Sequence, residues 1–218
     1  VDVPAQPEVV ARESTVRALI LSAGKSTRLG GKQKLLLTAG GIPVHEWHRR
    51  ALIDYQTAVV VRPEDDAEVA ATLTWADRIV PHAKTDGPVG AIAAYLRLFD
   101  DDTELLVVYA DTLIQPQPLP TGDWVGVSRL TDRSWDYVNA YGVWVHDRLP
   151  ASVGIGLYRF ADIEQLRQGI ATLGDKEDQH LPDLLNLYKA QVNTPQVPIS
   201  GWHDAGDPTA LARVPIVA

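Results

Sequence analysis

The chain has 218 residues, 45% hydrophobic and 22% charged, with a formal net charge of −8 and no cysteine. That length suits one large domain with a sizeable core, the acidic balance argues against general nucleic-acid binding, and the lack of cysteine excludes disulfides and thiolate metal sites. No window approaches the roughly 18 apolar residues of a membrane span, and Val1–Glu8 lacks the basic and apolar regions of a secretory leader, so a cytoplasmic location is expected.

Residues 1–15 are polar and proline-containing, and read as a flexible tail. Val16 to Ser22 is a continuous apolar strand of the kind buried on both faces of a parallel sheet. A polar, glycine-punctuated loop follows, then a turn at Thr38–Gly41 and a helix from Pro43 to about Asp54. Thr57–Arg62 reads as the second strand, and Glu64, Asp65 and Asp66 suit the N-terminus of a helix running to about Thr74. Arg78–Pro81 is a short third strand. A turn at Asp86–Gly90 leads into an apolar helix, Ala91–Phe99, and Leu105–Tyr109 is a fourth strand ending at Ala110-Asp111.

Strand and helix patterns alternate throughout this half, which predicts an α/β fold built on a Rossmann-like, doubly wound, mostly parallel sheet. The second half has strands at Trp124–Ser128, Tyr137–Val145 and Gly154–Phe160 with no full helix between them, so a partly antiparallel extension is expected. Helices at Ala161–Leu173 and Leu181–Lys189 and a strand at Val192–Ile199 complete the chain. With no internal repeat or linker, residues 16–218 read as a single domain.

The loop after the first strand carries the clearest chemistry. Lys25, Arg28, Lys32 and Lys34 fall within ten residues that hold no carboxylate, in a chain that is acidic overall. A strand, a glycine loop and a basic segment present backbone N–H groups and positive charge to phosphates. The P-loop pattern G-x-x-x-x-G-K-[ST] would need glycine where Leu19 stands, and G-x-G-x-x-G is absent. Ala23-Gly24-Lys25-Ser26-Thr27-Arg28-Leu29-Gly30, with Lys34 before Leu35-Leu36-Leu37, instead resembles the signature of the sugar-phosphate nucleotidyltransferase superfamily; Gln33 replaces the usual proline before the lysine.

A second stretch agrees. Gly201-Trp202-His203-Asp204-Ala205-Gly206-Asp207-Pro208 resembles that family's W-x-D-x-G-x-P. The resemblance implies a nucleotide-binding half at about 16–120 and an acceptor-binding half at about 121–218. It implies that Ser22, Ala23, Gly24 and Lys25 meet the triphosphate, that Arg28 and Lys34 are catalytic, and that Gly87, Pro88 and Gly90 lie against the base. Asp111, at a strand end where a carboxylate can hold Mg²⁺, is expected to bind the metal together with Asp204. In the acceptor half, Tyr141, Gly142 and Gly154 resemble residues near the bound sugar phosphate. The glutamate and lysine usual between them are missing, which leaves Arg148 as the candidate phosphate partner.

The expected activity is a Mg²⁺-dependent nucleotidyl transfer from a nucleoside triphosphate to a phosphorylated small-molecule acceptor, a sugar 1-phosphate before others, with release of pyrophosphate. Neither a nucleic acid nor a membrane is an expected partner. The alternatives are a cytidylyltransferase for a small alcohol or amino-alcohol phosphate, and a degenerate nucleotide-binding regulatory protein. A guanylyltransferase of molybdopterin-type cofactors shares the loop, while the W-x-D-x-G motif argues for the sugar branch. His45 and His48 read as surface or half-buried histidines, and Asp100–Asp102 as a solvated turn.

Overall fold

Successive residues of β1 (Val16–Ser22) point to opposite faces of a sheet, and both faces are apolar. Ala18 and Ile20 join one core cluster, while Leu19 joins the other, all with no exposed surface. A strand buried on both sides gains roughly 1.5–3 kcal/mol for each large apolar side chain it hides. This double burial places β1 at the centre, as its unbroken apolar run predicts.

The computed structural model describes residues 16–83, 87–99, 101–128, 137–138, 144–145, 152–174 and 179–216. After β1 come a small hairpin, β2 (Thr38–Ala39) and β3 (Ile42–Pro43), then α1 (Val44–Ala51), β4 (Gln56–Val61), α2 (Asp66–Thr72) and β5 (Arg78–Pro81). Next are α3 (Gly87–Leu96), β6 (Glu104–Tyr109), β7 (Thr112–Ile114), β8 (Trp124–Ser128), β9 (Tyr137–Val138), β10 (Trp144–Val145) and β11 (Ser152–Phe160). The chain continues through α4 (Ile163–Leu173), α5 (Leu181–Lys189), β12 (Gln196–Pro198), β13 (Trp202–Asp204) and α6 (Pro208–Arg213).

The main sheet has nine strands among the described residues. Its core runs β6-β1-β4-β5, all parallel. On the far side of β6, β11 pairs antiparallel with β6, β8 and β9, and β12 runs parallel to β8. This is the expected α/β fold with its partly antiparallel extension. The strand order reverses direction at β1, between β4 and β6, so a crevice opens beyond the carboxyl ends of these strands. Helix α1 packs on one face through Val44 and Trp47, while α3, α4 and α5 cover the other.

Several local expectations are corrected. Gly87–Gly90 is the first turn of α3 and not a separate loop, because proline is tolerated where helical N–H groups have no partner anyway. Helix α1 stops at Ala51 and α2 at Thr72, each shorter than its pattern suggests. Thr38–Gly41 belongs to a hairpin, and the late strand contracts to Gln196–Pro198. The single strand expected over Tyr137–Val145 is two short strands paired antiparallel with each other; residues 139–143 and the tail at 1–15 lie outside the described residues.

Two histidine and aspartate readings also change. His48 is buried to 1% exposure, since it lies on the same face of α1 as Val44 and Trp47. Asp101 is held by Arg17 through two hydrogen bonds of 2.6 Å, so that part of the acidic turn fastens the start of β1.

Candidate active site

The crevice at the strand ends holds a cavity of about 610 Å³. Ser22, Ala23, Gly24, Lys25, Lys34, Gly87, Pro88 and Asp111, eight of the residues singled out from the sequence, line it together. Gly90 is buried inside α3 and is not among the lining residues. Arg28 is exposed on a short 3-10 turn, Thr27–Leu29, that follows the lining residues Lys25 and Ser26; it belongs to the loop but not to the cavity wall.

The loop is held in a demanding shape. Ser26 has φ +50, the one non-glycine residue with a left-handed backbone among the described residues. Such a conformation costs on the order of 1–2 kcal/mol and persists only where neighbours enforce it. Its carbonyl accepts from the backbone N–H of Leu29 at 2.9 Å and of Gly31 at 3.0 Å, which folds the loop back on itself. Lys34 opens a second 3-10 turn, Lys34–Leu36, and its ammonium reaches across the cavity floor to Asp111 Oδ2 at 2.5 Å.

Asp111 sits where the chain leaves β6. The N–H of Ala110 donates to the Leu21 carbonyl at 3.1 Å, and the Asp111 carbonyl accepts from the N–H of Ala205 at 2.8 Å. That second bond continues the β7–β13 ladder, in which Asp204 pairs with Thr112. Ninety-three positions of sequence are thereby closed, and the two carboxylates meet beside Gly206. A Cβ on Gly206 would stand 3.0 Å from Asp204 Oδ1 and 3.2 Å from Asp111 Oδ2, so side-chain-free space there is shared by both acids.

This donor set suits Mg²⁺. Two carboxylate groups flank one spot at the edge of an anion-ready cavity, and no cluster of three His, Cys, Asp or Glu residues exists among the described residues. Mg²⁺ is usually held by one or two carboxylates, with water and substrate phosphates completing its shell. A closed thiolate or imidazole cage, as zinc prefers, is not formed by these residues.

Beneath Asp111 lies His48, whose Nε2 is 3.1 Å from the Ala110 carbonyl. Burial pulls this imidazole down to about 4, against the opposing pull of that carbonyl and of the Asp111 charge, so at neutral pH Nε2 carries the proton it donates. His203, next to Asp204, is also shifted down by burial and stacks edge-on against Trp47, with ring centroids 5.7 Å apart.

Sequence reasoning missed the opposite wall. Arg62, Pro63 and Glu64 after β4, His82 and Ala83 after β5, and His180 before α5 all line the cavity. The rule that ligands sit beyond the carboxyl ends of strands would have pointed to the first two groups; nothing local marks His180. On the acceptor side, Tyr141, Gly142 and Arg148 lie outside the described residues, and Gly154 is buried in β11 opposite Val127, away from the cavity lining.

Comparison with known proteins agrees with this geometry. Residues 18–121 match the family model of the MobA-like NTP transferase domain. No curated protein sequence matches the chain. Among solved structures, the chain is similar to a Bacillus anthracis protein assigned as a glucose-1-phosphate thymidylyltransferase, with a TM-score of 0.73, 16% identity and coverage of 91% of this chain and 93% of that one. It is also similar to the inositol-1-phosphate CTP transferase of T. maritima, with a TM-score of 0.69, 14% identity and coverage of 89% and 91%. A nucleoside-diphosphate-sugar pyrophosphorylase from Vibrio cholerae follows with a TM-score of 0.66, 15% identity and coverage of 89% and 98%. At these identities the likenesses speak to the fold, and the family match speaks to residues 18–121. Residues 18–121 thus resemble a MobA-like NTP transferase domain, and the fold of the chain is the one shared by these nucleotidyltransferase structures.

Proposed function

We propose that this enzyme transfers a nucleotidyl group from a nucleoside triphosphate to the phosphate of a small acceptor, a sugar 1-phosphate before others, and that it depends on Mg²⁺. The observation that carries this reading is the meeting of Asp111 and Asp204 beside Gly206, with the Lys34 ammonium on the same carboxylate and the glycine loop adjoining. An acceptor phosphate oxygen would bond to the α-phosphorus as the bond to the β-phosphate oxygen breaks, and pyrophosphate carries that electron pair away.

No protein nucleophile is needed, since such transfers depend on positioning and charge neutralisation. In this reading the segment Ser22–Lys25 cradles the triphosphate, and Gly87 and Pro88 shape the side facing the base, with Gly90 behind them inside α3. Lys34 moves from Asp111 to the α-phosphate and the incoming oxygen, while Arg28 swings in from the exposed turn onto the leaving pyrophosphate. Asp111 and Asp204 would hold Mg²⁺, which supplies charge screening of the triphosphate and polarises the phosphorus under attack. Tyr141, Gly142, Arg148 and Gly154 remain the proposed acceptor side.

A second reading has support of its own. The fold is also similar to that of an inositol-1-phosphate CTP transferase, and only Val143–Val153 separates the Tyr141-Gly142 and Gly154 stretches, which would suit an alcohol phosphate that accepts a cytidylyl group from CTP. A thermal-shift panel of the common nucleoside triphosphates with Mg²⁺, followed by pyrophosphate release with pooled sugar phosphates and pooled alcohol phosphates, separates the two. Nucleotide stabilisation with turnover on either pool supports the transferase reading and selects its branch. Stabilisation with no pyrophosphate from any pool would support a regulatory nucleotide-binding role instead.

A further inference from the structure

Gln33 stands where the family signature has proline, yet it is one of the best-connected side chains of the molecule. It is 6% exposed. Its Oε1 accepts from the Ser22 hydroxyl and, at 3.4 Å, from the N–H of Leu35. Its Nε2 donates to the Ser22 carbonyl at 3.3 Å and to Asp65 Oδ2 at 2.9 Å. The same Asp65 oxygen accepts from Arg62 Nε at 2.6 Å, and Arg62 Nη2 donates to the Gly31 carbonyl at 2.9 Å. The contacts close a ring from the end of β1, through Gln33 and Asp65, to Arg62 on the far wall and back to the loop.

A proline at this position would contribute rigidity through its ring. Gln33 already has φ −65, the proline value, so the backbone is set as proline would set it. What the amide adds is a tie between two walls of the cavity. That tie explains how a loop with a left-handed Ser26 keeps one shape, because a strained turn needs surroundings that over-determine it.

We propose that Gln33 is a positioning residue: its buried amide clamps the nucleotide loop, and with it Lys34, to the Asp65–Arg62 wall. The inference rests on the nucleotide reading of the cavity given above. A loop clamped before binding loses less freedom when the triphosphate arrives, and this raises affinity without any contact between Gln33 and the ligand.

The test is a reciprocal pair of variants in the full chain. Gln33→Glu keeps the acceptor for Ser22 and Leu35 but sets a second carboxylate against Asp65. Adding Asp65→Asn relieves that charge clash and lets the new amide donate to the carboxylate at position 33, at the expense of the Arg62 contact made by the same Asp65 oxygen. Dissociation constants for the four ribonucleoside triphosphates with Mg²⁺ are measured by calorimetry, and amide exchange is followed at Leu29, Gly30, Gly31, Leu36 and Leu37, whose N–H groups donate within the loop. The expected result is a rise of about tenfold in the dissociation constant for Gln33→Glu, faster exchange at those amides, and partial recovery of both in the double variant. Unchanged exchange in Gln33→Glu, or a double variant no better than the single one, would overturn the clamp. If the unaltered protein binds no triphosphate, the nucleotide reading falls, and the exchange rates still decide whether Gln33 holds the loop.

Discussion

Asp111 is the residue on which the proposed chemistry turns, and its immediate neighbours make separable predictions. Replacing Asp111 or Asp204 with asparagine keeps the shape of the side chain and removes one charge from the shared spot beside Gly206. Each variant is expected to lose pyrophosphate release by at least about a hundredfold, with a far-ultraviolet circular dichroism spectrum like that of the unaltered protein. His48 makes a different prediction. Its folded value of about 4 lies below the 6.5 of the unfolded chain, so between those values the unfolded state binds the extra proton. Stability from this site is therefore complete above pH 6.5 and is lost as pH falls toward 4, by on the order of 3 kcal/mol in all. In His48→Phe that acid-side slope should flatten, and urea midpoints measured from pH 4.5 to 7.5 will show whether it does.

At the scale of elements, the short ladder between β7 and β13 deserves the weight that its six residues conceal. It brings Asp204 to Asp111, and Leu113 in β7 anchors it with no exposed surface. Leu113→Ala should cost about 3 kcal/mol, as should Leu106→Ala in β6, which is equally buried in the same core. Only the β7 variant is expected to weaken metal binding beyond its loss of stability, since only it loosens one carboxylate relative to the other. Equal metal affinities in the two variants would remove the ladder from the argument. Gly156 tests the neighbouring bend in β11: with φ +76, an added Cβ would meet Thr112 Oγ1 at 2.6 Å and the Tyr109 ring at 2.9 Å. Gly156→Ala should therefore destabilise by about 3 kcal/mol in urea unfolding.

These elements also show what could be read from the chain alone. The central strand was legible because the apolar run Ala18–Leu21 has one stable home, the middle of a parallel sheet. The glycine loop was legible because its residue types act locally, on the backbone and on charge. Strands β7 and β13 were not, since three residues give no period to detect and each exists only by pairing with the other. The start of α3 was misread because Gly-Pro signals a turn and the first turn of a helix equally well. Gln33 looked like a lapse from a signature, and three of its four hydrogen bonds depend on partners 11 and 32 positions away that no local pattern reveals.

For the whole molecule, the reversal of strand order at β1 puts the ends of β1, β4, β5 and β6 around one cavity, with Asp204 meeting Asp111 at its edge. The proposed activity requires these groups to act together. A nucleoside triphosphate with Mg²⁺ that binds only the folded state should stabilise the protein by about 2.7 kcal/mol at a hundred times its dissociation constant. The most direct measurement is the titration of Mn²⁺, a paramagnetic substitute for Mg²⁺, into the nucleotide-saturated protein and into Asp111→Asn and Asp204→Asn, followed by electron paramagnetic resonance alongside pyrophosphate release. The account predicts that tight metal binding and turnover are both lost in either variant. Full Mn²⁺ affinity in one of them, with turnover intact, would show that the two carboxylates do not serve a common metal centre.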